Sequence, residues 1–252
     1  MTFLPLIRIL ALSIIAAVVC SPVANAATTA NDDDIDIPLA SAEAPANDSL
    51  ERFNRPVFSF NVTLDKYVLK PVARGYHWVF PDVVRESIGN VFDNLGEPVN
   101  CINGILQLNP QKSFTAFWRF TLNSTFGFAG LRDFAGHDAG LIHHKYSFGE
   151  TLETYGVGSG SYLVVPLLGP STVRDAAGDV VDTVIDPFTY ITPARIDNAL
   201  TVVEVVDQRD QNATLIDEIY DNSLEPYIAM RSAYLQNKSF VSRNGKIKQL
   251  DD

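Results

Sequence analysis

Cysteine is scarce in this chain: Cys20 and Cys101 are the two present. An export signal is read over residues 1–26, so cleavage there would leave Cys101 alone and exclude an intrachain disulfide. A lone cysteine in an oxidising compartment is expected to be buried and inert. Basic residues are also few, 19 Lys and Arg against 30 Asp and Glu. Removing Arg8 with the signal leaves 18 against 30, a net charge of −12. That balance argues against a nucleic-acid partner, which needs Lys and Arg to displace counterions from phosphates. It argues equally against simple electrostatic docking on anionic lipid, so any membrane contact has to be mainly apolar. Beyond the signal, no apolar run reaches the roughly 20 residues that cross a bilayer. Internal repeats and long alternating strand patterns are missing too, which leaves a mainly α chain.

At the N-terminus, Arg8 supplies a positive region, Ile9 to Val19 an apolar stretch, and Ala24-Asn25-Ala26 a small-x-small cleavage site. Cleavage is expected after Ala26; a membrane anchor is the competing reading, and the run is short for it. Cys20 is a candidate for lipid attachment because it follows the apolar stretch, although Val19 before it is bulky for such processing. Residues 27–47 are Ala- and Asp-rich, include Asn31-Asp32-Asp33-Asp34, and read as a flexible acidic linker. A solvated charge run is favoured there over calcium binding.

Ordered structure is expected from Asp48. Leu50, Phe53, Val57, Phe60, Leu64 and Tyr67/Val68 recur at helical spacing, with Pro56 suited to a first turn and a linker ending in Pro71. A second helix opens at Pro81-Asp82 and stops at Gly96; a third runs from Pro98 to Leu108. Asn109-Pro110 opens a fourth with Phe114, Phe117/Trp118 and Leu122. Glycines at 127, 130, 136 and 140 mark loops and short turns, followed by a short helix around Phe148 to Thr154. Pro170-Ser171 is expected to begin another helix, residues 196–206 continue the helical period, and a last helix starts near Pro226. The tail from Asn237 reads as polar and loosely ordered.

Several residues could carry chemistry. Gly156, Gly158 and Gly160 resemble a phosphate-binding loop superficially, but such a loop follows a strand and opens a helix, whereas an apolar run, Tyr162 to Leu168, follows here. A flexible wall or gate is the alternative use of that cluster. His137, Asp138, His143 and His144 lack regular metal spacing, and a surface loop or a core hydrogen bond is favoured. Ser159 and Ser161 lack the Gly-x-Ser-x-Gly elbow of a hydrolase. Asn54 and Asn61, seven apart, share a helical face and are candidates to cap or bridge neighbouring helices. No cofactor and no metal are expected.

Several blocks, in order, resemble the VacJ/MlaA family. They are Asp48-Ser-Leu-Glu-Arg-Phe-Asn-Arg-Pro-Val-Phe-Ser-Phe-Asn61, Asn94-Leu-Gly-Glu-Pro98, Arg119-Phe-Thr-Leu-Asn-Ser-Thr125 and Phe148-Gly-Glu-Thr-Leu152. Tyr155 to Ser171 is the strongest, followed by Arg174-Asp175 and by Glu225-Pro-Tyr-Ile228 with Arg231 and Tyr234. The resemblance covers residues 48–240, leaving 241–252 as a polar tail. Ser49 stands where the family usually has proline.

The resemblance implies a ring-like single domain of amphipathic helices lying in the membrane plane, on the periplasmic face of an outer membrane. It implies intermembrane phospholipid transport: a polar channel lets misplaced outer-leaflet phospholipid descend to a periplasmic lipid-carrier protein, with an outer-membrane porin as neighbour. No bond is broken. Within the matching blocks, Phe53, Asn54, Phe60, Asn61, Arg119, Gly156, Gly158, Gly160, Arg174 and Asp175 are the candidates for a lipid path or gate. A porin-associated scaffold without transport and, less favoured, a lipid hydrolase are the alternatives.

Overall fold

A computed structural model of the chain describes residues 48–242. The expectations for the signal, Cys20, the acidic linker and the tail after residue 242 lie outside them. The described residues are mainly helical, and none of their helices is long and apolar enough to cross a membrane.

Helix α1 (Glu51–Leu64) passes through a π-helical turn (Asp65–Leu69) into α2 (Lys70–Val79). The sequence suggested a start at Pro56 and a linker up to Pro71; neither holds. Asp48 accepts the Leu50 amide at 3.1 Å and the Asn54 side chain at 3.2 Å, and this starts the helix ahead of Pro56. Pro71 falls in the first turn of α2, where its missing N–H is tolerated.

Helix α3 (Asp82–Leu106) runs unbroken through Gly96 and Pro98, where two separate helices were expected. The reason is tertiary. Asn94, Glu97, Asn100 and Asn103 stand at three-residue steps on one buried face. Each bonds outside the helix: Asn94 to Ser124 at 3.1 Å, Glu97 to Arg119 at 2.6 Å, Asn100 to the Tyr146 amide at 2.9 Å and Asn103 to Asp182 at 2.7 Å. Anchors on both sides of Pro98 outweigh the local break signal.

Helix α4 (Pro110–Thr125) begins where Asn109-Pro110 places it, capped by the Asn109 side chain on the Lys112 amide. Short α5 (Phe134–His137) is capped by Asp133, and α6 (Phe148–Thr154) by Ser147, whose hydroxyl accepts the Glu150 amide.

The apolar run after the glycine cluster forms a hairpin that sequence patterning missed. Strand β1 (Tyr162–Val165) pairs antiparallel with β2 (Gly169–Thr172), Val164 opposite Pro170. The Val164 amide points away from β2, to Asn54 of α1 at 2.8 Å. Val164 and Pro170 are therefore a non-hydrogen-bonded pair, and proline's missing N–H goes unused. The helix expected at Pro170-Ser171 starts instead at Val173, capped by Thr172 on the Asp175 amide.

Helix α7 (Val173–Ile185) crosses α6 at two glycines. A Cβ on Gly178 would stand 2.3 Å from the Gly149 amide nitrogen, so only glycine allows this approach. The chain ends with α8 (Phe188–Ile191), α9 (Ala194–Gln211), α10 (Ala213–Asp217), a second π-helical turn (Glu218–Asn222) and α11 (Pro226–Ser242). Helix α11 continues past Asn237, where looseness was expected. Lys238 reaches Asp175 at 3.3 Å and Ser242 reaches Glu153 at 2.7 Å.

The apolar core is local. Phe58, Tyr162, Val164, Ile219, Tyr227, Met230 and Tyr234 gather where α1, the hairpin, the second π turn and α11 meet.

Candidate functional site

Elsewhere the usual polarity of a helical protein is inverted. Helix α4 buries Ala116, Arg119 and Asn123 and exposes Phe114, Phe117 and Trp118. Helix α7 buries Arg174, Asp175 and Thr183 and exposes Val173, Val180 and Val184. Helix α9 buries Asp207, Gln208, Arg209 and Asp210 beside exposed Ile196, Val202 and Val203. Asn54 and Asn103 are 0% exposed, while Trp78 is 87% exposed. Solvated proteins place large apolar groups inside and leave few contiguous apolar patches outside. Here the polar faces turn inward and bond to one another.

A cavity of about 190 Å³ lies among α3, α7, α9 and the segment carrying His143, Lys145 and Tyr146. Its wall holds Asp93, Asp179, Asp182, Asp186, Glu204 and Asp207, with Asn100, Gln208 and Gln211 between them. A second cavity of about 410 Å³, lined by Asp82, Arg85 and Glu86, shares Gly89, Asp93 and Gln211 with the first. Together they follow one face of α3 from Asp82 to Asn100.

Burial sets the electrostatics. It pushes the Asp179 carboxyl up to about 7, helped by Asp182 and Asp175 and opposed by Lys145. Burial likewise raises Asp93, Asp182, Asp186, Glu204 and Asp207. For His143 burial disfavours the charged ring, but the hydrogen bond to Glu97 and the charge of Asp93 outweigh it and the ring is held above its usual range.

Buried ion pairs brace the walls. Glu97 takes Arg119 at 2.6 Å and His143 at 2.9 Å on one oxygen, and Asn100 at 3.2 Å on the other. Arg119 also reaches Asp133 at 3.0 Å and the Leu141 carbonyl. On the far side Tyr76 donates to Asp207 at 2.7 Å, Arg85 pairs with Asp210, and Arg209 pairs with Asp65 at 2.6 Å.

None of the ten lipid-path candidates read from the sequence lines this cavity. Arg174 and Asp175 do meet, at 3.2 Å, with Glu153 2.9 Å from Arg174; Arg119 belongs to the separate Glu97 network. Asn54 and Asn61 do share a face of α1, but they bridge it to the hairpin. Asn54 donates to the Tyr162 carbonyl at 3.0 Å. Asn61 donates to the Val165 carbonyl at 2.9 Å and accepts the Leu167 amide at 2.8 Å. Phe53 and Phe60 are about half exposed on that helix, while Phe58 enters the core. Gly156 and Gly160 adopt positive φ, +84° and +70°, and a Cβ at Gly156 or Gly158 would meet open space. Ser161 bonds Ser49 at 2.7 Å. His143 is the one candidate histidine in the cavity wall. Among the described residues, no cluster of His, Cys, Asp and Glu is arranged to hold a metal. Cys101 is half-buried and its thiol is pushed up by burial.

The carboxylates of the cavity were missed. A signal existed: Asp179, Asp182 and the C-cap Asp186 of α7 repeat at helical spacing, as Glu204 and Asp207 do along α9.

The MlaA lipoprotein family model matches residues 46–241. The "Intermembrane phospholipid transport system lipoprotein MlaA" of Haemophilus influenzae is 38% identical over 204 residues, covering 80% of this chain and 81% of the relative. Its namesake in Escherichia coli K12 is 34% identical over 208 residues, covering 80% and 81%. A solved structure described under "Structural basis for maintenance of bacterial outer membrane lipid asymmetry" is 37% identical with a TM-score of 0.68, covering 78% of this chain and 99% of that one. The ordered blocks, the helical fold and these likenesses agree: the chain belongs to the MlaA lipoprotein family.

Proposed function

We propose that this chain moves phospholipid misplaced in the outer leaflet of an outer membrane to a periplasmic carrier, making and breaking no bond. One observation carries the reading: helices with apolar faces outward enclose a carboxylate-lined polar cavity. Apolar outer faces suit helices lying in a bilayer rather than crossing it. The cavity offers a headgroup a polar route while the acyl tails stay in hydrocarbon.

The energetics make such a route useful. Each CH₂ brought into water costs about 0.8 kcal/mol, so two acyl chains would cost roughly 20 kcal/mol or more. A path for the headgroup alone avoids most of that barrier. The curated relatives named above are called components of an intermembrane phospholipid transport system, which supports phospholipid as cargo. Retrograde direction, the carrier and a neighbouring porin rest on the family resemblance.

The test is the outer-leaflet phospholipid content of cells lacking the gene, read with a headgroup label that cannot cross the membrane. A rise reversed by the intact gene is the expected result. An unchanged outer leaflet would favour a scaffold beside a porin.

A further inference from the structure

We propose that the cavity among α3, α7 and α9 is a subsite for a cationic amine, the ammonium of a phosphatidylethanolamine-type headgroup, and that it selects such lipids over those with uncharged headgroup termini. The proposal rests on the transport reading and adds the class of cargo.

Three observations point to an ammonium. First, the wall carries six carboxylates, Asp93, Asp179, Asp182, Asp186, Glu204 and Asp207, against one lysine, Lys145, and one histidine, His143. Second, Gln208 in that wall is more than nine-tenths buried, and its side-chain oxygen has no hydrogen-bond partner among the described residues. Its amide nitrogen is engaged, donating to Glu204 at 3.1 Å. The open position is thus a buried acceptor, and what it lacks is an N–H or O–H donor. Third, at about 190 Å³ the space is below the roughly 300–1,000 Å³ of drug-sized clefts. It has room for a headgroup.

An ammonium answers each point. Its three donors reach carboxylates and the Gln208 oxygen together. Its charge relieves the mutual repulsion of carboxylates held in a low-dielectric site. The lipid phosphate would face the part of the wall formed by Lys145 and His143. A phosphatidylglycerol headgroup has the same phosphate but ends in hydroxyls, so it makes the hydrogen bonds without the charge.

The test uses the full-length protein extracted in mild detergent from vesicles of equal phosphatidylethanolamine and phosphatidylglycerol, with bound lipid measured by native mass spectrometry. Wild type is expected to hold about tenfold more of the amine lipid, the factor given by about 1.4 kcal/mol from one charge-assisted contact. The double variant Asp179→Asn, Glu204→Gln is expected to bring the ratio close to one with lipid still bound and helical content unchanged.

Bound lipid in the vesicle ratio for wild type overturns the amine subsite while leaving transport standing. No bound lipid of either kind overturns both. Binding of free ethanolamine by calorimetry, without enrichment of the lipid, assigns the cavity to soluble amines and also overturns the proposal.

Discussion

The side-chain oxygen of Asn54 accepts the amide of Val164 at 2.8 Å across 110 residues of sequence. The Asn54 nitrogen meanwhile donates to the Tyr162 carbonyl at 3.0 Å, so one side chain satisfies the outer edge of β1. Replacing it by alanine leaves a buried donor and a buried acceptor unpaired. Asn54→Ala is expected to cost about 2–4 kcal/mol, a fall in Tm of roughly 5–15 °C. Thermal unfolding followed by circular dichroism checks it; a shift near zero would mean that water replaces the asparagine.

Arg119 sits 2% exposed between Glu97 and Asp133. Arg119→Met strands two carboxylates and is expected to cost about 3–5 kcal/mol. Arg119→Lys keeps the charge but not the planar fork, and should fall between the two. Adding Glu97→Gln to Arg119→Met should recover part of the loss, which a double-mutant cycle in urea measures.

Stability should rise on mild acidification. Asp179 titrates at about 7 in the fold and near 3.9 when unfolded, so between those values the folded state holds the extra proton. Destabilisation from this group is greatest above about pH 7 and fades as pH falls from about 7 toward about 4. The raised carboxyls of Asp93, Asp182, Asp186, Glu204 and Asp207 act in the same direction. So does raised His143, whose contribution is present below its unfolded pKa and lost as pH rises through its folded one. Asp133, Asp175 and Asp217 are held low and act oppositely, losing their stabilisation as pH falls below the ordinary carboxylate range. Denaturation midpoints from about pH 8 to pH 5.5 should therefore climb, and Asp179→Asn should flatten the climb. A falling midpoint would contradict the burial of this cluster.

Trp78 makes little use of the protein interior, being 87% exposed, while Phe117 is 52% exposed and packs edge-on against Trp118. Changing Trp78 to aspartate should alter stability by no more than about 0.5 kcal/mol, and changing Phe117 by about 1 kcal/mol more. Flotation with phospholipid vesicles should fall about tenfold for each, from the loss of roughly 1.5 kcal/mol or more of aromatic burial in lipid. Equal flotation would place the membrane face elsewhere on the molecule.

At Gly158 a Cβ meets open space, so Gly158→Ala should be silent. Gly158→Pro stiffens the loop between α6 and β1 and is expected to impair lipid export with the fold intact. Unchanged export would remove the loop from any gating role.

Local signals made some elements readable and non-local bonds hid others. Asn109-Pro110 and Ser147-x-x-Glu150 carry their caps within four residues, and α4 and α6 begin where these motifs place them. Gly96 and Pro98 carry equally local stop signals, but α3 ignores them because Ser124, Arg119, Tyr146 and Asp182 hold its polar face from other elements. The hairpin was hidden for the same reason, since the groups that satisfy its edge come from α1. The cavity was harder still. Periodicity shows that Asp175, Asp179, Asp182 and Asp186 stand together, and that Val173, Val180 and Val184 stand apart from them. It does not say which set faces inward, because that depends on the medium outside.

The apolar core joins the two ends of the described chain: Phe58 of α1 packs edge-on against Tyr227 of α11, whose hydroxyl bonds Asp48, 179 residues earlier. Contacts of such high sequence separation are slow to form and wait on the last segment made. A nascent chain lacking α11 would hold α1 and the hairpin with their apolar partners missing. Nicks or truncations near Glu225 should therefore disable assembly as thoroughly as damage at Asp48, and refolding should be limited by closure of these ends, after the central helices have formed.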